Sequence, residues 1–457
     1  MSAIATREKL TGTIHTAKIE AIAVGGDGVA RLDGQAVFIP RTAPGDRVSF
    51  SIVADKGRFL RGEFKEIVHA GANRRDPPCP DWAECGGCQL QQMTPGGQAE
   101  AKRRIFLDTL SRIGKIQTVI HPQLLGDTVP EFSYRMRARF QIKGNTIGFF
   151  APGTRDLIPV ESCPLVEEQI SETFGEIRQF LKENPVARGI ESVEITSLAK
   201  NPKLGAGLLI NPIGFRNRKK GAISDGTRQA WKSFSRFSGH PLAFSGERTP
   251  EDNLPWTAQY ELDTPTGMPL SLRVSPDSFL QAHRLANRLL VQAITKGAAI
   301  FENGFAVDLY CGVGNFSIPL ATIAKRVVGV ESNPFAVRDA KTNAIEAGLD
   351  NLRFIQDKSG RIDAGEILDT LGGAVPDLVL LNPPRRGALE TIPLIIRMKP
   401  QQIIYVSCNP ATLARDAREL NEGGYYLKTT LIAPMFPNTA HVESITWWGR
   451  ENTTALS

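Results

Sequence analysis

In the stretch IIYVSCNPATLARD, residues 403–416, one cysteine stands between an apolar run and a proline-led helix signal. The β-branched run 403–406 is short enough to be a buried strand. Asn409-Pro410 breaks it, and the spacing predicts a helix over 410–420 with proline at its first position. Cys408 is thereby placed at the carboxyl end of a strand, just ahead of a helix N-terminus. That helix end carries partial positive charge, which favours the thiolate, the nucleophilic form of the side chain. A lone cysteine more commonly packs than reacts, so its meaning rests on the company it keeps. One companion is Glu443 in MFPNTAHVESI, residues 435–445. It lies two residues from His441, so both point the same way on an extended chain. A carboxylate beside a thiolate can serve as general base.

These groups need a frame, and the sequence supplies one. Strand-like runs at 306–310, 326–331, 352–356, 377–381 and 402–407 alternate with helical patterns. That alternation predicts a doubly wound, mainly parallel, Rossmann-like α/β sheet. The first run leads through DLYCGVGNF into a glycine turn and then a helix. Glycines let the backbone approach a bound nucleoside, and Glu331, about 20 residues on at the next strand tip, is placed to hydrogen-bond ribose. A dinucleotide fingerprint would show a third glycine, so the turn points to S-adenosylmethionine rather than NAD. Cys311, inside the turn, reads as a packing residue. The fourth run ends in Asn382-Pro383-Pro384-Arg385. Methylation of exocyclic amines uses an aromatic after the prolines, and Arg385 in that place argues against it.

The first part of the chain has a different character. Residues 8–68 read as all-β, with about five short strands separated by turn signals such as Gly25-Gly26-Asp27-Gly28, Asp33-Gly34 and Pro44-Gly45-Asp46. This pattern predicts a small barrel of the oligonucleotide-binding type. Residues 1–75 hold 12 Lys and Arg against 8 Asp and Glu, a bias that suits nucleic acid. The segment AVGGDGVARLDGQAVFIPRTAPGDRV resembles a TRAM domain, an RNA-binding barrel appended to RNA-modifying enzymes.

Half of the six cysteines, Cys79, Cys85 and Cys88, then crowd into one Pro- and Gly-rich loop. Such clustering points to metal ligation before disulfides. With Cys163 as a fourth donor, the set suits zinc or a [4Fe–4S] cluster. Further on, SYRMRARFQIKG alternates, placing Arg135, Arg137, Arg139 and Gln141 on one strand face, which suits a phosphate backbone. A weaker basic run is Arg216-Asn217-Arg218-Lys219-Lys220. No apolar run approaches the roughly 18 residues of a membrane span, and MSAIATREKL lacks the apolar core of a secretory signal. The expectation is a cytoplasmic enzyme without membrane attachment or an obligate protein partner. Three regions are expected: a barrel over 1–70, a central α+β domain over 71–270, and a cofactor-binding domain over 271–457.

Taken together, the barrel, CGGCQLQ, DLYCGVGNFSIPLA, NPPRRG, SCNPATLARD and FPNTAHVES resemble the RNA uracil-5-methyltransferase family. That family acts on large ribosomal RNA and on the tRNA T-loop, and the likeness covers nearly the whole chain. The resemblance implies Cys408 as nucleophile and Glu443 as base. It implies Gln281, Tyr310, Glu331 and Asn382 around S-adenosylmethionine, with Asn315 supporting the loop. It further implies a structural [4Fe–4S] cluster on Cys79, Cys85, Cys88 and Cys163. The chain departs from the family pattern at Asn382, where an aspartate is frequent, and at His283, where asparagine is usual.

The implied chemistry explains the residue types. Carbon 5 of uracil is too weak a nucleophile to take a methyl directly; addition of the Cys408 sulfur at carbon 6 makes it enolate-like. Glu443 then removes the carbon-5 proton and the sulfur leaves. The target base must leave its stack to reach such a pocket. The barrel and cysteine set favour 23S rRNA as substrate over the tRNA T-loop. Radical methylthiolating enzymes also join a TRAM barrel to an iron–sulfur site, but with C-x3-C-x2-C spacing, which this chain lacks. A non-catalytic RNA-binding protein that has kept the fold is the remaining alternative.

Overall fold

The computed structural model describes residues 10–117, 121–126, 129–198, 205–213, 223–247, 255–298 and 301–450. The basic run 216–220 lies outside the described residues. By contacts the chain forms two compact units: residues 1–109 with 150–154 and 436–442, and residues 110–149 with 155–435 and 443–457. Among the described residues no helix is long and apolar enough to cross a membrane.

The first unit is built on six short strands, β1 (Ile14–Lys18), β2 (Ala21–Ile22), β3 (Gly28–Leu32), β4 (Gln35–Ile39), β5 (Arg47–Asp55) and β6 (Phe59–His69), in the order β1-β5-β6-β4-β3-β2. Only Ile19 and Glu20 separate β1 from β2, so one bent strand forms both edges and closes the sheet into a barrel. The alternation of β-branched and polar residues sends Ile19, Val37, Ile39, Val48, Phe50, Ile52 and Leu60 inward, all essentially inaccessible to water. The Pro44-Gly45-Asp46 turn is held by its own acid. Buried Asp46 accepts from the amides of Ala43 (2.7 Å) and Gly71 (2.9 Å) and from Arg74 (2.7 Å). Helix α1 (Pro95–Arg112) follows the cysteine loop. Segment 436–442 is fastened to that helix. Gln98 exchanges hydrogen bonds with Asn438 (2.8 and 3.1 Å), and Lys102 Nζ donates to the carbonyl of Phe436 (2.7 Å).

In the second unit, β7 (Gln123–Leu124) is followed by β8 (Arg137–Lys143), β9 (Thr146–Phe150), β10 (Leu157–Pro159), helix α2 (Glu168–Glu183), β11 (Ile190–Thr196), β12 (Gly207–Pro212), helix α3 (Asp225–Ser238) and β13 (Leu242–Phe244). β8 to β13 form one sheet in the order β10-β9-β8-β11-β12-β13. Ala138, Phe140 and Ile142 on one face join Phe174, Ile177 and Trp231 of the helices in a common core. The expected arginine face exists, but protein groups occupy it. Arg139 pairs with Glu194 (3.0 Å), its register partner on β11, and Arg137 donates to Thr196 Oγ1 (2.8 Å) and the Ser278 carbonyl (2.7 Å). The expectation of a free phosphate-binding row is thereby corrected at Arg137 and Arg139: the alternation is right, but Glu194 on the neighbouring strand pairs with both (3.7 and 3.0 Å).

A hairpin, β14 (Ala258–Asp263) and β15 (Pro269–Val274), precedes helix α4 (Arg284–Ala298) and the large sheet. Its parallel strands are β16 (Phe305–Leu309), β17 (Arg326–Glu331), β18 (Leu352–Gln356), β19 (Leu378–Leu381) and β20 (Gln402–Ser407). Helices α5 (Ser317–Ala321), α6 (Pro334–Glu346), α7 (Ala364–Thr370), α8 (Ile392–Met398) and α9 (Pro410–Glu422) make the crossovers. The strand order is β18-β17-β16-β19-β20-β22-β21-β7, with β21 (Tyr426–Ala433) and β22 (Glu443–Gly449) completing the sheet. β22 runs antiparallel to β20 and to β21. The order reverses between β16 and β19, and ligands of such sheets sit outside the carboxyl ends of the strands at that crevice.

Candidate active site

Cys408 follows the last residue of β20, and Glu443 is the first of β22. The register pairs Ser407 with Ser444, so the next step along the ladder sets Cys408 and Glu443 opposite one another. Thirty-five residues of sequence are closed by a single antiparallel pairing. The two groups feel each other: Glu443 is one cause of the raised Cys408 thiol. Ser407 and Asn409 lock the intervening turn. The Asn409 amide donates to Ser407 Oγ, whose hydroxyl donates back to the Asn409 carbonyl, both at 3.1 Å.

The thiol is not the acidified group the sequence suggests. Burial, then the neighbouring Glu443, push it up to about 11, and Arg385 is the side chain that pulls the other way. At the start of α9, Asn409 caps the helix itself. The Asn409 side chain accepts from Ala411 N (3.1 Å), and Pro410 has no N–H to offer. Glu443 is 4% exposed, and burial alone pushes it up to about 8. The resting pair is therefore a thiol and a largely protonated acid, with Arg385 the cation that favours sulfur ionisation.

Arg385 is held by the loop after β19. Asn409 Nδ2 (2.9 Å) and Thr412 Oγ1 (3.2 Å) donate to its carbonyl, and Arg415 donates to that of Arg386 (2.9 Å). Fully buried Asp416 gathers the rest, accepting from Ala388 N (2.6 Å), Tyr405 OH (2.8 Å) and Arg415 (2.7 Å). Gly387 makes this closeness possible. Its φ is +77°, and a Cβ there would lie 2.6 Å from Asp416 Oδ2. Gly387→Ala is expected to destabilise the fold by about 2 kcal/mol or more and to lower kcat through the displaced Arg385 loop. Thermal melting and single-turnover methylation measure the two effects.

The glycine turn has the form a nucleoside needs. Tyr310, Gly312 and Gly314 have φ of +63°, +56° and +90°, and a Cβ on Gly312 would project into open space. Glu331, at the tip of β17, accepts from Gly312 N (3.1 Å) and from the amides of Ser332 and Asn333, both at 2.7 Å. Beneath the turn, Asp308 is fully buried, and burial pushes it up to about 7. Its Oδ2 accepts from Ser317, while Oδ1 has no partner among the described residues. Tyr310 hydrogen-bonds Thr391, and the Asn382 amide donates to Leu309 O (3.3 Å). Asn315 is a brace. Its carboxamide exchanges hydrogen bonds with Asn287 (2.8 and 3.0 Å) and accepts from Tyr260 OH (2.8 Å).

Gln281 is buried at the end of a turn held on both sides. Asp339 accepts from Ser275 N (2.9 Å) and Ser278 Oγ (2.7 Å), and Arg137 reaches the Ser278 carbonyl from β8. Phe279, in the same turn, is 68% exposed, an aromatic face open for stacking. His283 stacks on Tyr134, with ring centroids 4.7 Å apart, and its Nε2 bonds the Pro130 carbonyl (3.1 Å); it is a packing residue. Sequence reasoning missed Arg385 in its role beside sulfur, Asp416, Asp339 and the Asn287–Tyr260 brace. Of these only Arg385 carried a signal, its position after the double proline.

In the first unit, Cys79, Cys85 and Cys88 are half-buried thiols, none in a disulfide, around a 3-10 turn, Pro80–Ala83. Cys79 and Cys85 interact electrostatically, and Gly87 N points at Cys85 Sγ (3.4 Å). The donor chemistry fits soft metal or cluster ligation. Cys163, in the second unit, is likewise outside any disulfide. Among the described residues, however, no group of three or more His, Cys, Asp or Glu side chains is assembled as a metal site.

A doubly wound sheet with one reversed strand and a glycine turn at its switch point define a methyltransferase-type nucleotide fold, and a cysteine faces a buried acid at its strand ends. Residues 266–451 match the family model described as tRNA (Uracil-5-)-methyltransferase, and residues 8–65 match the TRAM domain. The chain is 32% identical over 428 residues to 23S rRNA (uracil(1939)-C(5))-methyltransferase RlmD of Aeromonas salmonicida, covering 92% of each protein. With the same enzyme of Alcanivorax borkumensis it shares 33% identity over 454 residues, 96% of this chain and 97% of that one. The chain belongs to the RNA uracil-5-methyltransferase family. The fold agrees with that of Pyrococcus abyssi tRNA (uracil-54, C5)-methyltransferase, solved with S-adenosyl-L-homocysteine. The TM-score is 0.67 at 22% identity, over 95% of this chain and 100% of that one.

Proposed function

We propose that the protein methylates carbon 5 of a uridine in 23S rRNA with S-adenosylmethionine. The observation that carries this reading is the Cys408–Glu443 pair, set opposite one another by the β20–β22 register. Relatives matched over nine-tenths of their length carry the 23S rRNA activity in their names, which favours that substrate over the tRNA T-loop.

Bound at the glycine turn, S-adenosylmethionine supplies an electrophilic methyl. Gln281, Tyr310, Glu331 and Asn382 line its place, with Asn315 as brace. Cys408 Sγ, as the thiolate that Arg385 favours after its proton passes to solvent, bonds carbon 6 of the extruded uracil, and carbon 5 takes the methyl as the methyl–sulfonium bond breaks. Glu443, as carboxylate, takes the carbon-5 proton, and the carbon–sulfur bond breaks to restore the ring and the thiolate. We also assign a [4Fe–4S] cluster to Cys79, Cys85, Cys88 and Cys163, supported by four cysteines of the right donor chemistry outside any disulfide; its role is to order the cysteine loop. The assignment of regions is a TRAM barrel over 1–70, a central domain over 71–270 and the methyltransferase domain over 271–457, acting in the cytoplasm. In a strain lacking the gene, mapping of 5-methyluridine is expected to show one lost position in 23S rRNA with the tRNA T-loop unchanged. Loss from tRNA alone reverses the substrate assignment, and loss from neither rejects the activity.

A further inference from the structure

Within the first unit lies an open cavity of about 460 Å³ lined by barrel loops and the cysteine loop. Its walls are unusually bare: Gly25, Gly26, Gly86 and Gly153 present backbone rather than side chains. The bareness is enforced. A Cβ on Gly26 would lie 2.5 Å from Gln89 Cβ, and one on Gly86 would lie 2.7 Å from the Phe150 carbonyl. Two larger side chains stand out against that backbone, Trp82 and Arg41. The Arg41 guanidinium carbon is 5.9 Å from the centroid of the Trp82 ring, and both side chains are half-buried.

The charge at this place is uncompensated. The acid on the lining, Asp27, is already paired with Arg61 (2.7 Å). Among the described residues Arg41 has no carboxylate partner. Its backbone is also strained, at φ +65° in a residue that is not glycine. Such outliers persist where the surroundings impose them, commonly at binding sites. A flat aromatic face, a free guanidinium beside it and glycine walls that admit a planar group suit one ligand chemistry: an unstacked nucleobase with its phosphate.

We infer that this cavity receives one unpaired nucleotide of the RNA substrate, its base on Trp82 and its phosphate on Arg41. This rests on the reading of the protein as an RNA-modifying enzyme, but it concerns a second grip, separate from the uridine that is methylated. An enzyme that extrudes one base from a folded RNA disrupts its neighbours, and a holding place for one of them lowers the cost of that opening. Cys85 and Cys88 stand on the lining while Cys79 and Cys163 do not, so the cavity borders the seat of the proposed cluster.

The test uses the full-length holoenzyme and in vitro transcribed 23S rRNA, with binding followed by filter retention and methylation assayed separately. Trp82→Ala is expected to weaken RNA binding on the order of 10-fold, and Trp82→Phe to restore most of it. Arg41→Ala is expected to reduce the salt dependence of binding by about one phosphate contact. In all three variants kcat at saturating RNA, KM for S-adenosylmethionine and iron content should stay at wild-type values. Unchanged RNA affinity in both alanine variants overturns the proposal. So does an affinity that falls only together with iron content, because Trp82 would then be supporting the cysteine loop. Failure of the wild-type protein to methylate would reject the catalytic reading while leaving the binding comparison decisive for the cavity.

Discussion

Cys408→Ala is expected to abolish methyl transfer, by about 10,000-fold or more, while leaving the fold and cofactor binding intact. The size follows from the chemistry: without sulfur at carbon 6 there is no route to a nucleophilic carbon 5, so the variant loses the reaction path itself. Its structural harmlessness follows from the site. Cys408 is half-buried at a strand end, and its turn is held by Ser407 and Asn409 rather than by sulfur. Melting should shift by less than the equivalent of about 1 kcal/mol, and S-adenosylmethionine affinity, measured by calorimetry, should match wild type. Cys408→Ser is expected to be equally inactive, since a hydroxyl is a far weaker acid than even this raised thiol. Measurable turnover in either variant would end the covalent mechanism.

Much of this frame is legible in the sequence. Apart from the edge strand β18, the parallel strands are buried on both faces and read as short continuous apolar runs, and 326–331, 352–356 and 402–407 agree with β17, β18 and β20 to the residue. The helix after Cys408 announces itself through Asn409-Pro410, which the structure shows as cap and first position. The barrel follows from its turns: the acid of Pro44-Gly45-Asp46 is the group that holds that corner.

What escaped depends on partners far apart in the chain. Local spacing predicts an acidified thiol, yet the pocket that buries Cys408 with Glu443 raises it. Arg135, Arg137 and Arg139 alternate as a nucleic-acid strand would, but Glu194, 55 residues on from Arg139, meets Arg137 and Arg139. The Asn287–Asn315 amide pair and the Asp416 hub carry no signature, because polar residues that bond one another across helices look in sequence like any others. The Trp82–Arg41 cavity is of the same kind: each residue is unremarked alone, and only the folded loops bring them together.

Glu443→Gln is expected to halt the reaction one step later than Cys408→Ala, and the difference identifies the base. Glutamine fills the same space but cannot take a proton, so sulfur addition and methylation proceed and the product stays bonded to Cys408. A protein–RNA band that survives denaturation should accumulate to near the enzyme concentration, and Glu443→Gln combined with Cys408→Ala should show none. The wild-type protein should release product faster as pH rises, roughly tenfold per unit, until the carboxyl ionises near pH 8, with little gain above. The glutamine variant should lack that profile. Stability supplies an independent check that the variant is sound. The folded value of Glu443 lies above the ordinary 4.5, so the folded chain keeps a proton that the unfolded chain releases between about pH 4.5 and 8. Stability therefore falls as pH rises through that window. Glutamine removes this dependence, so the variant should melt no lower than wild type at pH 6 and hold an increasing advantage toward pH 8. Rapid turnover without an adduct would assign proton removal to another group, and a variant that melts early at every pH would show that Glu443 serves the fold instead.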